Sequence, residues 1–357
     1  MNLTETIFNA GIVGCGGAGF PTHVKYKAKV EHFIVNAAEC EPLLRTDRYI
    51  MCNKAREIIS ACEVIRDHLG AQDCTIALKS AYKEEIASLE VAILALGSKV
   101  KLHTMNSFYP AGDEQVIVCE VTGKVVPPSG IPLDVGCVVS NVATVCAIND
   151  AINNIPFTHK YLTVTGEVGE PTVLHVPLGT SFSECLEAAG GTHLDEYFVI
   201  CGGPMMGKPM TMEEAAKAVV TKTTSGYIIL PPDGRLPSLY KTPVEHTLNR
   251  AKSACIQCSF CTQLCPRHML GHPIEPNKIM RKLSCGSIED MLDDPTVVNA
   301  LLCCECGVCE LYACPMQLQP RKVNSLVKKA LAQKGVKYQK TGETYTPDIN
   351  REYRKIP

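Results

Sequence analysis

Apolar residues recur with two different periods along residues 1–155, which predicts helices and strands in turn. Helical spacing marks LTETIFNAGI at the start, a long stretch from Arg48 to Leu69, and KEEIASLEVAILALG, where Gly97 ends the helix. Between them lie HFIVNAAEC, TIALK and KVKLHTM, short runs rich in apolar and β-branched residues that predict strands. Alternating strands and helices are typical of a layered α/β domain, which we expect over residues 1–155.

A different pattern occupies residues 156–230. Two β-rich runs in YLTVTGEVGEPTVLHVP flank a Gly-rich turn, and a helical pattern then begins near Ser181 and ends at Gly190. This arrangement predicts a small ββα module. The remaining expected parts are a Pro- and Gly-rich linker over 231–244, a cysteine-rich helical domain over 245–335 and a tail over 336–357.

Composition narrows the class of protein. With 357 residues, 46% hydrophobic and 20% charged, the chain is long enough for two or three globular domains. Its 35 basic and 37 acidic residues leave a net charge of -2, which gives no electrostatic reason to expect nucleic acid as a partner. The longest mostly apolar stretch, Gly136 to Ile148, contains polar residues and is shorter than the roughly 20 residues of a membrane span. We therefore expect no transmembrane segment.

The chain contains 20 cysteines. It opens MNLTETIFNA, without the basic and then apolar regions of a secretory signal, so we expect a cytoplasmic protein. In that compartment cysteines are thiols or metal ligands and rarely form disulfides.

Eight of these cysteines form two ferredoxin-like motifs. The first, Cys255-x-x-Cys258-x-x-Cys261-x-x-x-Cys265-Pro266, has the bacterial ferredoxin spacing. The second, Cys303-x-x-Cys306-x-x-Cys309-x-x-x-x-Cys314-Pro315, has one more residue before its last cysteine. Three thiolates spaced three apart let one loop hold three irons of a cubane, so the motifs predict two 4Fe-4S clusters. A zinc-stapled scaffold is the alternative, but zinc has no use for a third evenly spaced cysteine.

In two-cluster ferredoxins the fourth cysteine of each motif ligates the other cluster. We therefore expect two crossed ligand sets, which we call cluster A (Cys255, Cys258, Cys261 and Cys314) and cluster B (Cys303, Cys306, Cys309 and Cys265). Cys304 is adjacent to a ligand but out of phase, which leaves it as a small buried residue or a backup ligand.

A glycine-rich loop near the start is the second candidate for chemistry. Gly14-x-Gly16-x-x-Gly19 has the spacing of the dinucleotide fingerprint, and Glu39 lies 20 residues beyond Gly19. The context differs from a Rossmann unit, because the loop follows a helix-like segment and Pro21 interrupts the helix that should begin there. Clustered glycines still let backbone N–H groups approach a phosphate or a flat ring. A tight turn without a ligand is the alternative.

Four segments taken together resemble one family. They are GCGGAGFPTHVK (14–25), NAAECEP (36–42) with Asp47-Arg48 after it, YPAGDE (109–114) and SNVATV (140–145). They are similar to the flavin and NADH site of the flavin-carrying subunit of respiratory complex I, and more closely to the C subunit of the Rnf complex and the PduS-type cobalamin reductases. The resemblance covers the whole chain, because 161–191 resembles the SLBB β-grasp module and the paired ferredoxin motifs follow in the same order.

The resemblance implies a Rossmann-like α/β domain of the complex I flavin-subunit type, then an SLBB β-grasp module, then an α-helical two-cluster ferredoxin-like domain. It also implies bound FMN. Glycines and Lys25 would cradle the phosphate and ring edge, and the other residues would bond to the flavin or line its walls. The implied FMN residues are Gly14, Gly16, Gly17, Lys25, Asn36, Glu39, Tyr109, Gly112, Asp113, Asn141 and Thr144.

NADH is the implied substrate. Phe20 would stack on the nicotinamide, with Glu41 and Glu114 near the ribose and the carboxamide. Two positions depart from the complex I subunit, since Cys15 stands where that subunit has arginine and Ala38 where it has aspartate.

By the same resemblance, electrons pass from NADH through FMN and the two clusters to an external acceptor. That acceptor would be cob(II)alamin, on a corrinoid-dependent enzyme or its reactivation system, or another redox protein. The alternatives are an Rnf-like peripheral subunit feeding a membrane complex, and a non-catalytic electron-transfer subunit. The implied location is cytoplasmic, including the interior of a bacterial microcompartment or the periphery of a membrane complex, and a homo-oligomer is compatible with it.

Overall fold

The computed structural model describes residues 2–339 of the chain. Most of the tail expected over 336–357 therefore lies outside the described residues. Within the described range, no helix combines the length and apolar character needed to cross a bilayer.

A four-stranded parallel sheet forms the centre of the N-terminal part. All its strand pairs are parallel and run in the order β3-β2-β1-β4. Each predicted strand is present, and β4 is an additional one. The strands are β1 His32–Asn36, β2 Asp73–Lys79, β3 Lys101–Met105 and β4 Cys137–Asn141.

Helices cover both faces of this sheet, as an α/β fold requires. They are α1 Leu3–Asn9, α2 Thr22–Lys25, α3 Thr46–Asn53, α4 Ala55–Leu69, α5 Lys83–Leu96, α6 Glu114–Thr122 and α7 Val142–Ile152. The single helix predicted from Arg48 to Leu69 is wrong, because Lys54 leaves the helical conformation at φ -131° and ψ 25° and separates α3 from α4. As predicted, Gly97 ends α5, in a left-handed conformation.

The strand order fixes where a ligand can bind. The chain moves outward from β1 to β2 and β3, then returns to the other side of β1 to form β4. In open parallel sheets, ligands bind in the crevice beyond the carboxyl ends of the strands where the order reverses. Here that crevice lies after β1 and β4, and it receives the segments that follow Asn36 and Asn141.

Residues 159–230 form a second, five-stranded mixed sheet in the order β6-β5-β9-β7-β8. The predicted ββα unit is present. Its helix, and a second short helix that begins at Met212, each start with a reciprocal capping box, at Ser181 with Glu184 and at Thr211 with Glu214. The elements are β5 His159–Gly166, β6 Thr172–Pro177, α8 Phe182–Ala188, β7 Phe198–Cys201, β8 Lys208–Thr211, α9 Met212–Ala216 and β9 Gly226–Leu230.

The C-terminal part of the described chain is helical. Its core contains Ile279, Leu283, Val323 and Val327, all fully or almost fully buried. The helices are α10 Arg235–Lys241, α11 Val244–Ala254, α12 Phe260–Gln263, α13 Pro266–Met269, α14 Pro276–Cys285, α15 Pro295–Val298, α16 Val308–Leu311 and α17 Pro320–Gln333. Short 3-10 turns lie at Pro132–Val135, Glu289–Met291 and Asn299–Leu302.

The segment expected as a linker, 231–244, contains helix α10. Its Tyr240 ring stacks on Phe198 of the second sheet, with ring centroids 6.2 Å apart. The Gln319 amide donates to the carbonyl oxygen of Leu239 at 2.6 Å. Because these contacts join α10 to the parts on either side, the segment is a packed connection and not an open linker.

Candidate functional site

A cavity of about 520 Å³ opens at the carboxyl ends of β1 and β4. Its walls come from the glycine-rich loop, the segment after β1, residues 110–114 and the N-terminus of α7. We call it the flavin cavity. Of the 14 predicted flavin and NADH residues, 12 line it: Gly14, Gly16, Phe20, Lys25, Asn36, Glu39, Glu41, Gly112, Asp113, Glu114, Asn141 and Thr144.

The glycine-rich loop is held against the start of α7. The Cys15 amide donates to Thr144 Oγ1 at 2.9 Å. A Cβ added to Gly16 would lie 3.5 Å from the Asn141 side chain, so the loop backbone passes directly over that residue. Thr144 therefore positions the loop, and its predicted bond to phosphate stays a prediction.

Gly112 brings a second loop against the segment after β1. A Cβ at this position would lie 2.7 Å from the Ala38 carbonyl oxygen and 2.9 Å from Cys40 Sγ. The Asn36 amide donates to the Gly112 carbonyl oxygen at 2.8 Å. Only glycine fits such a close backbone approach, so this glycine sets the width of the cavity.

Gly17 and Tyr109 do not line the flavin cavity. Gly17 lies in the same loop with φ 102°, a conformation that favours glycine. Tyr109 points toward the ferredoxin-like part, where its hydroxyl donates to the Cys306 carbonyl oxygen at 2.8 Å. The expectation that Tyr109 lines a wall of this cavity is corrected by that contact.

Two predicted phosphate residues already have protein partners. Lys25 Nζ donates to the Val139 carbonyl oxygen at 2.8 Å and lies 3.8 Å from Glu114 Oε2. Asn141 donates to Asp47 Oδ2 at 2.7 Å and caps α7. An ammonium has three donors, so Lys25 keeps donors for a ligand.

Buried carboxylates occupy the wall after β1. Burial, and then the negative charge of Asp47, raise the pKa of Glu39. Burial also raises the pKa values of Asp47 and Glu41. Glu39 Oε2 and Glu41 Oε1 are buried without a hydrogen-bond partner, although their other oxygens accept backbone N–H groups of Asp47 and Met205. Buried acceptors are normally satisfied, so this wall fits a ligand that supplies donors, as the single ring N–H of a flavin and the hydroxyls of its ribityl chain do.

The raised pKa of Glu39 has a consequence for flavin-free protein. Above about pH 4 the unfolded chain has lost the proton that the folded state retains, so stability falls as pH rises. We expect flavin-free Glu39→Gln to be more stable than the parent protein at pH 8, by a margin that shrinks toward pH 5. Denaturant unfolding at both values tests this, with exposed Glu213→Gln as the control. A margin independent of pH would contradict it.

Lys160, from strand β5, is a site residue that sequence reasoning missed. Its side chain is buried, lines the flavin cavity, and donates from Nζ to the Cys15 carbonyl oxygen at 3.1 Å. A signal was present in the sequence, because the alternation of β5 places Lys160 on the same face as buried Leu162 and Val164. A lysine at an inward position needs a buried partner or ligand.

Arg267 is the second missed residue. It forms a two-point ion pair with Asp113, at 2.6 Å and 2.9 Å, and both residues line the flavin cavity. Asp113 also caps α6, because its carboxylate accepts backbone N–H groups of that helix. Arg267 follows Cys265-Pro266 directly, so the ion pair fixes the loop of Cys265, a predicted ligand of cluster B, against the cavity.

The crossed ligand sets stay a prediction, and the charged neighbours of three cysteines are compatible with them. Burial, and then the charges of its three cluster A partners, raise the pKa of Cys261. Burial, and then the charges of Cys304 and Cys303, raise the pKa of Cys265. A hydrogen bond with Cys304 and then burial raise the pKa of Cys306, and Cys265 is a further charged neighbour. Across residues 2–339 no His, Cys, Asp or Glu group gathers as tightly as one metal ion requires. A cubane instead spreads its ligands over four corners.

The two motifs share a backbone pattern. In the first, Gln257 and Ser259 have φ values of 54° and 62°; in the second, the equivalent Glu305 and Gly307 have 58° and 84°. Alternating right- and left-handed residues turn successive N–H groups inward and form the concavities that hold iron–sulfur clusters. Both loops are therefore shaped for the same kind of ligand.

The fold and the site define an NADH-dependent oxidoreductase that uses FMN and two 4Fe-4S clusters. Residues 7–150 match the Nuo51 FMN-binding domain, 161–209 the SLBB domain and 254–319 the 4Fe-4S dicluster domain. These matches confirm the predicted fold class and both kinds of cofactor.

The chain belongs to the PduS-type cobalamin reductase family. It is 39% identical over 358 residues to cobalamin reductase PduS of Citrobacter freundii, covering 100% of this chain and 77% of that protein. It is 38% identical over 356 residues to cobalamin reductase PduS of Salmonella typhimurium, covering 99% of this chain and 76% of that protein.

More distant relatives share parts of this architecture. The chain is 32% identical over 275 residues to the C subunit of the Na(+)-translocating ferredoxin:NAD(+) oxidoreductase complex of Acetobacterium woodii, covering 75% of this chain and 58% of that relative. A crystal structure of NAD+-reducing [NiFe]-hydrogenase in the H2-reduced state superposes with a TM-score of 0.60 at 20% identity, over 94% of this chain and 62% of that one. This chain thus spans less than two thirds of either, and the second likeness shows the fold alone.

Proposed function

We propose that this protein transfers electrons from NADH to a corrinoid and reduces cob(II)alamin. Each NADH oxidised to NAD+ and a proton provides two electrons, which reduce two one-electron acceptors. FMN converts a two-electron donor into single electrons when bound, and the clusters carry them. The family membership supports the corrinoid, because the relatives that cover most of this chain are named cobalamin reductases.

One observation carries the electron path. Cys304 and Cys306 line the flavin cavity together with Gly16 and Glu39. The loop predicted to ligate cluster B is thus a wall of the cavity, and within residues 2–339 no further domain separates the two. This supports an order in which electrons reach cluster B before cluster A.

The protein's own residues would bind the flavin and orient it toward the cluster loop. The backbone of the glycine-rich loop, Lys25 and Lys160 would hold the phosphate end and its charge. The unpartnered oxygens of Glu39 and Glu41 would accept hydrogen bonds from the flavin. The Arg267–Asp113 ion pair would keep the cluster loop in place and exclude water between the two cofactors.

Anaerobic titration of the reconstituted protein tests the proposal. NADH should bleach the flavin absorbance near about 450 nm, and later addition of cob(II)alamin should reoxidise the protein. If NADH leaves the flavin oxidised, the protein is a non-catalytic electron carrier. If NADH bleaches it but no corrinoid is reduced, the acceptor is another molecule.

A second candidate function is a peripheral subunit that feeds a membrane complex. The match to the Acetobacterium woodii protein over 75% of this chain favours it. Co-sedimentation of the native protein with membranes of its source cell, together with absence of corrinoid reduction, would support this function over the first.

Lys160→Met is expected to weaken FMN binding by about tenfold or more. A hydrogen bond to a charged group contributes roughly 1.5 to 3 kcal/mol, and 1.4 kcal/mol corresponds to a factor of ten. Fluorescence titration of flavin-free protein with FMN measures the effect. Lys222→Met is the matched control, because Lys222 Nζ also bonds to a backbone carbonyl near the loop, that of Gly11, without lining the cavity. Equal affinities for both variants would contradict a cofactor role for Lys160.

A further inference from the structure

A second cavity, of about 450 Å³, lies on the other side of residues 39–44. It shares Glu39, Cys40, Glu41 and Leu44 with the flavin cavity and is otherwise separate from it. We call it the side cavity. Nothing in the electron path described above uses it.

The floor of the side cavity belongs to the cluster loops. Tyr109 lines it and donates its hydroxyl to the Cys306 carbonyl oxygen. Leu264 and Val308 also line it, and each directly precedes a cluster B ligand in the sequence. Tyr312, two residues before Cys314 of cluster A, completes this side. A molecule in the side cavity would thus lie against residues that carry ligands of both clusters.

The opposite side carries positive charge. Arg45, Arg48 and Lys79 line it. Arg48 is engaged, because it bonds to Glu85 and lies 4.6 Å from the centre of the Tyr82 ring. Within residues 2–339, neither Arg45 nor Lys79 forms an ion pair. Arg45 is exposed, and Lys79 Nζ lies 5.8 Å from the centre of the Tyr82 ring, so both keep N–H donors for an anionic group such as a phosphate.

Two carboxylates also lie on the wall shared with the flavin cavity. Glu39 accepts a backbone N–H of Asp47, and Glu41 accepts that of Met205 at 2.9 Å. These bonds hold the two side chains to the chain around the flavin cavity. They do not pair with Arg45, which leaves its charge available.

Aromatic and apolar side chains surround the charged side. Tyr82, Tyr109 and Tyr312 line the cavity, and Leu43 lies at its opening. Tyr312 is 68% exposed and Leu43 53% exposed, so large apolar surfaces at the rim face solvent. Flat aromatic ligands stack on such surfaces. Aromatic walls with two cations match a nucleotide, which joins a flat base to a phosphate.

We propose that the side cavity binds the nucleotide end of a corrinoid acceptor, with its base against the tyrosines and its phosphodiester at Arg45 and Lys79. The inference rests on the proposed function, because it assumes that a corrinoid is reduced. The cavity is too small for a whole corrinoid and takes one end of it. One electron converts cob(II)alamin to cob(I)alamin, and no bond to the protein forms or breaks.

NADH also contains nucleotides, so it is the competing candidate for the ligand of the side cavity. Its nicotinamide must meet the flavin ring, whereas the side cavity lies against the cluster loops. This placement favours the acceptor over the donor.

The test uses holoprotein carrying Arg45→Gln and Lys79→Met together. Steady-state rates with NADH are measured for cob(II)alamin, for cob(II)inamide, which lacks the nucleotide and its phosphate, and for methyl viologen. The matched control, Arg235→Gln with Lys217→Met, removes the same charges from exposed positions that line neither cavity.

The expected result is a KM for cob(II)alamin raised about tenfold or more, the effect of losing a charge-assisted bond. The KM values for cob(II)inamide, methyl viologen and NADH should stay within about twofold, as should every value for the control. An unchanged KM for cob(II)alamin overturns the inference, and so does a raised KM for NADH alone, which would assign the cavity to the donor. If the unaltered protein reduces no corrinoid, the proposed function itself fails.

Discussion

Replacing Cys309 with alanine is expected to remove about half of the protein's iron and to lower cob(II)alamin reduction by at least about a hundredfold, while FMN stays bound. Cys309 is buried and is a predicted ligand of cluster B, and the loop that carries Cys306 of the same set forms a wall of the flavin cavity. A cubane that loses a thiolate ligand is labile, and without cluster B electrons have no short route out of the cavity. Direct flavin oxidation by a small soluble oxidant should persist, because the flavin residues are untouched.

Iron and acid-labile sulfide analysis, with EPR of the reduced protein, measures this loss. Cys285→Ala is the control, because Cys285 is exposed and lies outside both motifs; it should keep all the iron. The crossed arrangement adds a sharper expectation. Cys265→Ala should remove the same EPR signal as Cys309→Ala, although Cys265 lies in the other motif, and Cys314→Ala should remove the remaining signal. Pairing of Cys265 with the first motif would contradict it.

Arg267→Met is expected to destabilise the protein by about 3 to 5 kcal/mol and to weaken FMN binding. The Arg267 and Asp113 side chains are only 10% and 12% exposed, so removing the cation leaves a buried carboxylate without its partner. Breaking a buried pair in this way has a cost of that size. The same change releases the loop after Cys265 from the cavity wall. Denaturant unfolding under anaerobic conditions and FMN titration measure the two effects.

The double variant Arg267→Met with Asp113→Asn provides the control, because it removes the stranded charge. It should recover part of the lost stability but not the FMN affinity. Lys334→Met breaks an ion pair with Asp293, which is 85% exposed, and should change stability by less than about 1 kcal/mol. If Arg267→Met also lowered stability by less than about 1 kcal/mol, the buried ion pair would not hold the cysteine loop and the flavin cavity together.

Local patterns allowed much of this architecture to be predicted. Three of the four strands of the first sheet follow from short apolar runs, and the two 4Fe-4S clusters follow from cysteine spacing, because both features are encoded within a few residues. The break at Lys54 was missed because the apolar spacing continues across it and only the backbone changes direction. Helix α10 was missed because its Pro and Gly content indicates a linker, while Phe198 and Gln319, distant in sequence, hold it in place.

In the flavin cavity, too, residues in local motifs were predicted and residues placed by distant contacts were not. Residues from the glycine-rich loop and the segment after β1 were predicted, because each belongs to a compact motif. Lys160 and Arg267 were not, since each comes from a different part of the chain and reaches the cavity only through tertiary packing. Arg267 gives no local signal at all, since its partner Asp113 lies 154 residues away. For Tyr109 the motif predicted a place in the cavity wall, but its hydroxyl instead donates to the Cys306 carbonyl oxygen.

The left-handed residues of the cysteine loops bear on how the protein matures. Gln257, Ser259 and Glu305 carry side chains in a conformation that costs about 1 kcal/mol or more each, and only the fourth position is a glycine. An empty loop gains by relaxing out of this shape, whereas inserted iron and sulfide hold it there. Damage to a cluster by oxygen should therefore be followed by rearrangement of the loop, and repair would require the cell to rebuild the cluster and reshape the chain together.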